Sequence, residues 1–87
     1  MKPKRPEDLE FLSEVGRRVR LNRRYQDLTQ DELGVQAGLS RSFVGIFETG
    51  THGIDVLSLR RIAQALGVPL AELVDERPPN ARPNGGF

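Results

Sequence analysis

The chain has 87 residues, enough for one small domain, and a net charge of only +1. It has no cysteine and a single histidine, His52, which excludes a disulfide framework, a thiolate metal site and a histidine metal cluster. No apolar run approaches the ~20 residues that span a bilayer, and the N-terminus lacks the apolar segment of a signal peptide. We therefore expect a cytoplasmic protein with no membrane partner.

The N-terminal residues predict a polar arm followed by a helix. Residues 1–8 are polar, contain two prolines and predict a flexible arm. From residue 9 to about residue 24 the apolar side chains recur every three or four positions, which is one helix face. They are Leu9, Leu12, Val15 and Val19. Five arginines crowd the second half of this helix, but such a cluster is also typical of a solvated helix face.

A short second helix is predicted over about residues 30–37. Thr29 and Glu32 have the Thr-x-x-Glu spacing of a capping box, in which each side chain bonds the other residue's backbone N–H. Gly38 ends the helix, because glycine readily adopts the positive φ of a C-terminal stop. The residues expected to be buried are Leu33 and Ala37.

The next helix, predicted over about residues 41–49, starts only three residues later. Ser40 is its expected N-cap. Leu39 is expected to fill the angle between the two helices, and Val44 and Phe47 are expected to be buried. Two helices joined in this way form a helix-turn-helix arrangement, although the spacing is also compatible with a plain helical hairpin.

Two further helices complete an all-α domain over residues 9–76. Helix four is predicted over about residues 57–66 with Asp55 or Ser58 as its cap, and helix five starts near Val68 and Pro69. Residues 77–87 are rich in proline and glycine and predict a disordered tail. The expected buried residues are Leu59, Ile62, Ala63, Leu66, Leu70, Leu73 and Val74.

The outer face of the third helix indicates a nucleic-acid partner. Arg41 and Ser42 suit hydrogen bonding to base edges, since arginine pairs with guanine through two hydrogen bonds. Phe43 and Ile46 either touch thymine methyl groups or pack in a dimer interface or against helix four. Gln30, at the N-terminus of the second helix, either donates to a phosphate or is an ordinary exposed residue.

The segment VGRRVRLNRRYQDLTQDELGVQAGLSRSFVGIFETG, followed by LSLRRIAQALGVPLAELV, resembles the Cro/phage-repressor type helix-turn-helix family, also called XRE. The resemblance covers about residues 12–74. It implies a compact five-helix repressor-type DNA-binding domain that acts as a homodimer on a palindromic operator in double-stranded DNA. The implied function is sequence-specific transcriptional regulation. The matching residues are Gly16, Val19, Arg23, Leu28, Thr29, Gln30, Leu33, Gly38, Ser40, Arg41, Ser42, Val44, Glu48, Gly50, Leu59, Ile62, Ala63, Ala65, Leu66, Gly67 and Val68.

The resemblance also assigns roles to individual residues. The implied base contacts are Arg41, Ser42, Phe43 and Ile46. The implied phosphate contacts are Thr29, Gln30, Ser40, Thr49, Thr51 and Arg23. In addition, Arg23 and Glu48 match a family pair that forms an ion pair behind the recognition helix.

Four residues depart from the family pattern. Asn22 lies where the family prefers leucine, so either Leu21 takes the apolar role or the core is thinner there. The other three departures are Asp27 for a frequent glycine, Gly34 for a commoner alanine and Ile46 for a polar reader. They concern the operator sequence rather than the fold class.

An alternative function is an antitoxin or adaptor module whose main partner is a protein that binds Phe43 and Ile46. The dimer surface is expected on helix five and the end of helix four, with Leu70, Leu73 and Val74. Enzymatic chemistry is not expected, because there is no cysteine nucleophile and His52 with Asp55 makes no triad. His52 is expected to be exposed or to touch a phosphate. We expect no cofactor, no metal and no small-molecule ligand.

Overall fold

The computed structural model describes residues 4–82 as five α-helices and one turn of 3-10 helix. The helices are α1 (Pro6–Tyr25), α2 (Gln30–Ala37), α3 (Arg41–Glu48), α4 (Val56–Leu66) and α5 (Leu70–Val74), and the 3-10 turn is Pro79–Ala81. Within residues 4–82 there is no strand, and no helix is long and apolar enough to cross a membrane. The prediction of an all-α domain with five helices is confirmed for this part of the chain.

The first helix begins at Pro6, inside the segment predicted as a flexible arm over residues 1–8. Proline suits a first helical turn because its missing N–H needs no partner there. The Asp8 carboxylate accepts a hydrogen bond from the Arg5 backbone N–H at 3.2 Å and so caps the helix. The arm prediction is therefore wrong for residues 6–8. Leu9, which was predicted to be buried, is 43% exposed because the helix meets the core only from Phe11 onward.

The predicted disordered tail contains a short ordered stretch. Pro79–Ala81 forms the 3-10 turn, and the Arg82 guanidinium donates to the Arg77 carbonyl at 2.7 Å. The Arg77 guanidinium beside Asp75 holds the pKa of that carboxyl well below its usual range. The remainder of the predicted tail, residues 83–87, lies outside the described residues.

Four of the five α-helices end in a left-handed residue, among them α3 at Gly50 with φ +77°. Gly38 after α2 and Gly67 after α4 both have φ +71°. After α1 this position is held by Asp27 with φ +57°, the only positive φ at a non-glycine residue within residues 4–82. The Leu28 N–H then donates to the Arg23 carbonyl at 3.0 Å, which closes the turn. Asp27 thus adopts a left-handed backbone at the position where the family frequently has glycine.

Replacing Asp27 with glycine is expected to raise the free energy of unfolding by about 0.5–1 kcal/mol. A left-handed backbone costs an L-residue roughly 1–2 kcal/mol, and the greater flexibility of unfolded glycine offsets part of that gain. Urea denaturation of the purified protein measures the change. Asp27→Asn is the matched control, since it removes the charge but keeps a side chain that tolerates this backbone. A gain of the same size in Asp27→Asn would contradict the conformational explanation.

The core is formed by side chains from all five helices. Burial of each large apolar side chain contributes about 1.5–3 kcal/mol. The buried apolar residues are Val15, Val19, Leu33, Ala37, Val44, Phe47, Leu59, Ile62, Ala63, Leu66 and Leu73. The predicted core residues of α2, α3 and α4 are therefore confirmed.

Asn22 takes a buried position on α1, and its side-chain amide donates to the Arg18 carbonyl at 2.9 Å. Leu21 is exposed, so it does not replace the missing apolar side chain. The Arg18 side chain is also buried, and its guanidinium donates to Glu14 at 2.9 Å and to the Glu72 carbonyl at 3.3 Å. Of the two explanations for Asn22, the structure supports the thinner apolar core. The hydrogen bond from Arg18 to the Glu72 carbonyl joins α1 to α5.

Candidate nucleic-acid interface

The turn between α2 and α3 brings their backbones into close contact. The Leu39 N–H donates to the Gly34 carbonyl at 2.8 Å, and the Leu39 side chain packs against the core. A Cβ atom on Gly34 would lie 2.6 Å from the Leu39 carbonyl oxygen, which explains the glycine at this position. The Ser40 hydroxyl accepts the Phe43 N–H at 3.0 Å, as expected for the N-cap of α3.

The capping box of α2 forms as predicted. The Thr29 hydroxyl accepts the Glu32 N–H at 3.0 Å, and the Thr29 N–H donates to the Glu32 carboxylate at 2.9 Å. Hydrogen bonds to the Glu32 carboxylate, first from the Thr29 backbone N–H and then from the Thr29 side chain, lower the pKa of this carboxyl.

The third helix has one buried and one exposed face. Val44 and Phe47 are buried in the core, while Arg41 and Ser42 are exposed. Ile46 is 46% exposed, so its side chain is accessible on the outer face of α3. Phe43 is half-buried and packs against the core, so part of its side chain serves internal packing, and the rest of the ring is accessible from outside. The exposed face of α3 thus combines hydrogen-bonding and apolar groups.

A buried ion pair holds α3 against α1. The Arg23 Nε lies 2.7 Å from Glu48 Oε2, and the guanidinium also donates to Glu48 Oε1 at 2.9 Å. The side chains are 9% and 4% exposed, respectively. A third hydrogen bond runs from Arg23 to the Leu28 carbonyl at 2.8 Å. Hydrogen bonding to the Glu48 carboxylate raises the pKa of Arg23. The predicted ion pair therefore exists in the structure.

The hydrogen bonds of Arg23 compete with the phosphate contact that was predicted for this residue. Each of its guanidinium nitrogens already donates to a protein acceptor, and the side chain lies behind α3. Arg23 therefore acts here as a link between α1 and α3. We leave it out of the phosphate contacts proposed below.

The side chain of Gln30, the first residue of α2, extends toward α3. Its side-chain amide nitrogen donates to Glu48 Oε1 at 3.3 Å, which uses one of the two amide hydrogens. A Cβ atom on Gly45 would lie 3.2 Å from the Gln30 amide oxygen, so the missing side chain of Gly45 makes space for this arrangement. No role for Gly45 was predicted, and the only sign of one in the sequence is a glycine inside a helix.

A chain of hydrogen bonds extends from the end of α3 into the following loop. The Thr49 hydroxyl donates to the Ile46 carbonyl at 2.5 Å and lies 2.7 Å from the Thr51 hydroxyl. The Thr51 hydroxyl lies 2.9 Å from Nδ1 of His52. All three side chains belong to exposed residues. The sequence places these residues next to one another but does not reveal that they are linked.

The family model for the helix-turn-helix domain matches residues 14–76, most of the chain. The chain belongs to the helix-turn-helix family. The resemblance to the Cro/phage-repressor family noted from the sequence is thus confirmed. Membership in a family of regulators also agrees with the prediction that the chain is not an enzyme.

This helix-turn-helix protein is similar to regulators of several kinds. It is 39% identical over 67 residues to an uncharacterized HTH-type transcriptional regulator, y4dJ, of Sinorhizobium fredii, covering 74% of this chain and 87% of that protein. It is 34% identical over 62 residues to the immunity repressor protein of Bacillus phage phi105, covering 71% of this chain and 43% of that protein. The chain therefore spans less than half the length of that repressor.

A solved structure shares the helix-turn-helix fold. The restriction-modification controller protein C.AhdI from Aeromonas hydrophila superposes with a TM-score of 0.69 at 34% sequence identity. The match covers 71% of this chain and 94% of the C.AhdI chain. The fold is therefore shared with a protein that consists almost entirely of the matched domain.

Proposed function

We propose that the protein is a sequence-specific DNA-binding transcriptional regulator that inserts α3 into the major groove. The observation that carries this proposal is the pair of faces on α3. One face is locked into the core by Val44 and Phe47, and the other presents Arg41, Ser42 and Ile46 to the outside. A recognition helix needs this combination, since its backbone must be rigid while its outer side chains reach the base edges.

Each exposed residue of α3 has a chemical counterpart on DNA. The Arg41 guanidinium suits the two acceptors of guanine, and the Ser42 hydroxyl suits several bases. Ile46 suits the methyl group of thymine, which would also account for its exposure. Phe43 adds apolar contact through the part of its ring that the core leaves uncovered.

The phosphate contacts are proposed at the starts of α2 and α3. Helix N-termini attract phosphates because their free N–H groups and positive dipole ends point toward the anion. The Ser40 hydroxyl accepts within its cap, so its own hydrogen is available to donate, and Thr29 holds the corresponding cap position at the start of α2. The second amide hydrogen of Gln30 is available in the same way.

We further propose that the protein binds as a homodimer to a palindromic operator, in the cytoplasm where the DNA is. The predicted dimer surface needs a correction, because Leu73 is fully buried in the core of a single chain. Leu70 and Val74 are only half-buried and remain candidates. Val56 and Leu57 at the start of α4 are the more exposed apolar side chains.

Selection of duplexes from a random pool at ~150 mM salt tests this function. The expected product is a two-fold symmetric motif with half-sites about one helical turn apart. Affinity for the selected duplex should fall steeply as salt rises, because several phosphates are neutralised. Recovery of no DNA, or of DNA without a pattern, would contradict the proposal and favour the antitoxin or adaptor alternative.

Replacing Arg41 with alanine is expected to weaken binding to the selected duplex by about 1–3 kcal/mol and to relax the preference at one base position. The measurement is a binding titration against the selected duplex and its single-base variants. Arg77→Ala is the matched control, because Arg77 is exposed but bonds Asp75 far along the chain from α3. An equal loss on every duplex would contradict a base-reading role for Arg41.

A further inference from the structure

The hydrogen-bond chain after α3 has only one possible direction. A backbone carbonyl only accepts, so the Thr49 hydroxyl uses its single hydrogen on the Ile46 carbonyl. Thr51 must then donate to Thr49, because Thr49 has no second hydrogen to offer. The Thr51 oxygen is left to accept from His52, so Nδ1 of the ring carries a hydrogen. Neutral His52 is therefore the Nδ1–H tautomer, with Nε2 as its unprotonated nitrogen.

The direction of the chain affects the predicted phosphate contacts. Both hydroxyl hydrogens are used within the chain, so neither Thr49 nor Thr51 has one left to donate to a phosphate. The one group at the outer end that can gain a hydrogen without breaking the chain is Nε2 of His52. A protonated ring keeps its Nδ1–H bond to Thr51 and acquires an outward N–H with a positive charge.

We propose that His52, held by the Thr51 and Thr49 hydroxyls, is a DNA phosphate contact that forms when its ring binds a proton. This inference rests on the function proposed above. Through the Thr51 and Thr49 hydroxyls, the chain links the ring to the Ile46 carbonyl at the C-terminal end of α3. A charge-assisted hydrogen bond from Nε2 to a phosphate is stronger than a neutral one, so phosphate and proton each favour the binding of the other.

The surrounding charged groups leave the ring free for this role. On α1, Glu14 bonds Arg17 and Arg18, and on α3, Glu48 bonds Arg23. The Asp55 carboxylate accepts from the backbone and hydroxyl of Ser58 at the start of α4. No ion pair joins His52 to a carboxylate within residues 4–82. The other charged residues on these elements are Glu7, Asp8, Glu10, Arg20, Arg24, Arg41, Arg60 and Arg61.

The salt dependence of duplex affinity at two pH values tests the proposal. Affinity for the selected duplex is measured between ~50 mM and ~200 mM salt, at about pH 6 and about pH 8, on either side of the range in which imidazoles titrate. Wild-type protein is expected to bind more tightly at the lower pH. The slope of log affinity against log salt should be steeper there by about 0.9, the value for one additional phosphate contact.

The matched control is His52→Asn, whose side-chain amide still donates to Thr51 but does not titrate. Its salt slope should be the same at both pH values. The chain has no other histidine and no cysteine, so a pH effect lost in His52→Asn belongs to this ring. Urea denaturation of both proteins at both pH values shows whether folding differs between them.

Two outcomes would overturn the proposal and separate it from the proposed function. Duplex binding with the same salt slope at both pH values in wild-type protein would remove the role of His52 and leave the regulator intact. Absence of duplex binding at either pH would remove both. Nitrogen NMR of the free protein gives an independent check, since a neutral ring protonated at Nε2 rather than Nδ1 would contradict the direction of the chain.

Discussion

Replacing Glu48 with alanine is expected to lower the free energy of unfolding by about 3–5 kcal/mol, a large share of the total for a domain of this size. The reason is that Arg23 would remain buried and ionised without its partner. Its two hydrogen bonds to Glu48, at 2.7 and 2.9 Å, would be lost together with the bond from Gln30. Urea denaturation followed by circular dichroism measures this change.

An exposed ion pair on α1, the helix that carries Arg23, provides the matched control. Arg17 bonds Glu14 at 2.7 Å, but the two side chains are 46% and 39% exposed. Arg17→Ala should therefore cost less than about 1 kcal/mol. Removing both charges, as in Arg23→Met with Glu48→Leu, should recover much of the stability lost in Glu48→Ala, since no buried charge is left alone. A loss in Glu48→Ala no larger than in Arg17→Ala would contradict the account of this pair.

Replacing Gly50 with alanine is expected to be the most damaging glycine substitution in the domain, with a loss of about 3 kcal/mol or more. Two costs combine at this position. Gly50 has φ +77°, which disfavours any L-residue, and a Cβ atom there would lie 2.5 Å from the Ser13 Cα of α1. The backbone after α3 would have to move away from α1, and both urea denaturation and the melting temperature should record this.

Alanine substitutions at two other glycines distinguish the cost of the left-handed backbone from the cost of the close contact. Gly67 has φ +71° with nothing near its missing Cβ, so Gly67→Ala measures the backbone cost alone, about 1–2 kcal/mol. Gly53 has neither a positive φ nor a neighbour, so Gly53→Ala should change stability little. If Gly50→Ala and Gly67→Ala lowered the free energy of unfolding equally, the close approach of the loop to α1 would not contribute.

Most of the helix boundaries follow from short segments of sequence. The bounds of α2 and α3 were predicted to within one residue, because Thr29, Ser40 and Gly38 mark their starts and the stop between them. The cap of α4 is the predicted Asp55. The start of α1 was missed because Pro6 was taken as a sign of an arm, although proline also suits a first helical turn.

The proposed site was partly visible in the same way. The exposure of Arg41 and Ser42 follows from the spacing of Val44 and Phe47, because residues on opposite faces of a helix cannot all be buried. The hydrogen bonds that orient Gln30 and His52 were not visible. The Gln30 bond depends on where α2 meets Glu48 of α3, 18 positions away along the chain. The bonds of His52 are local but depend on side-chain conformations that residue type alone does not fix.

Local pattern in this sequence is thus sufficient for five helices, the N-caps of α2, α3 and α4 and an outward face on α3, because caps and helical periodicity act within a few residues. The three-dimensional arrangement settled which of the five crowded arginines joins Glu48, 25 positions away along the chain. It also left Leu9 exposed, although Leu9 lies on the apolar face predicted for α1. Such outcomes depend on the packing of helices distant in sequence, where burial and charge pairing select one arrangement among many that the same helices would allow.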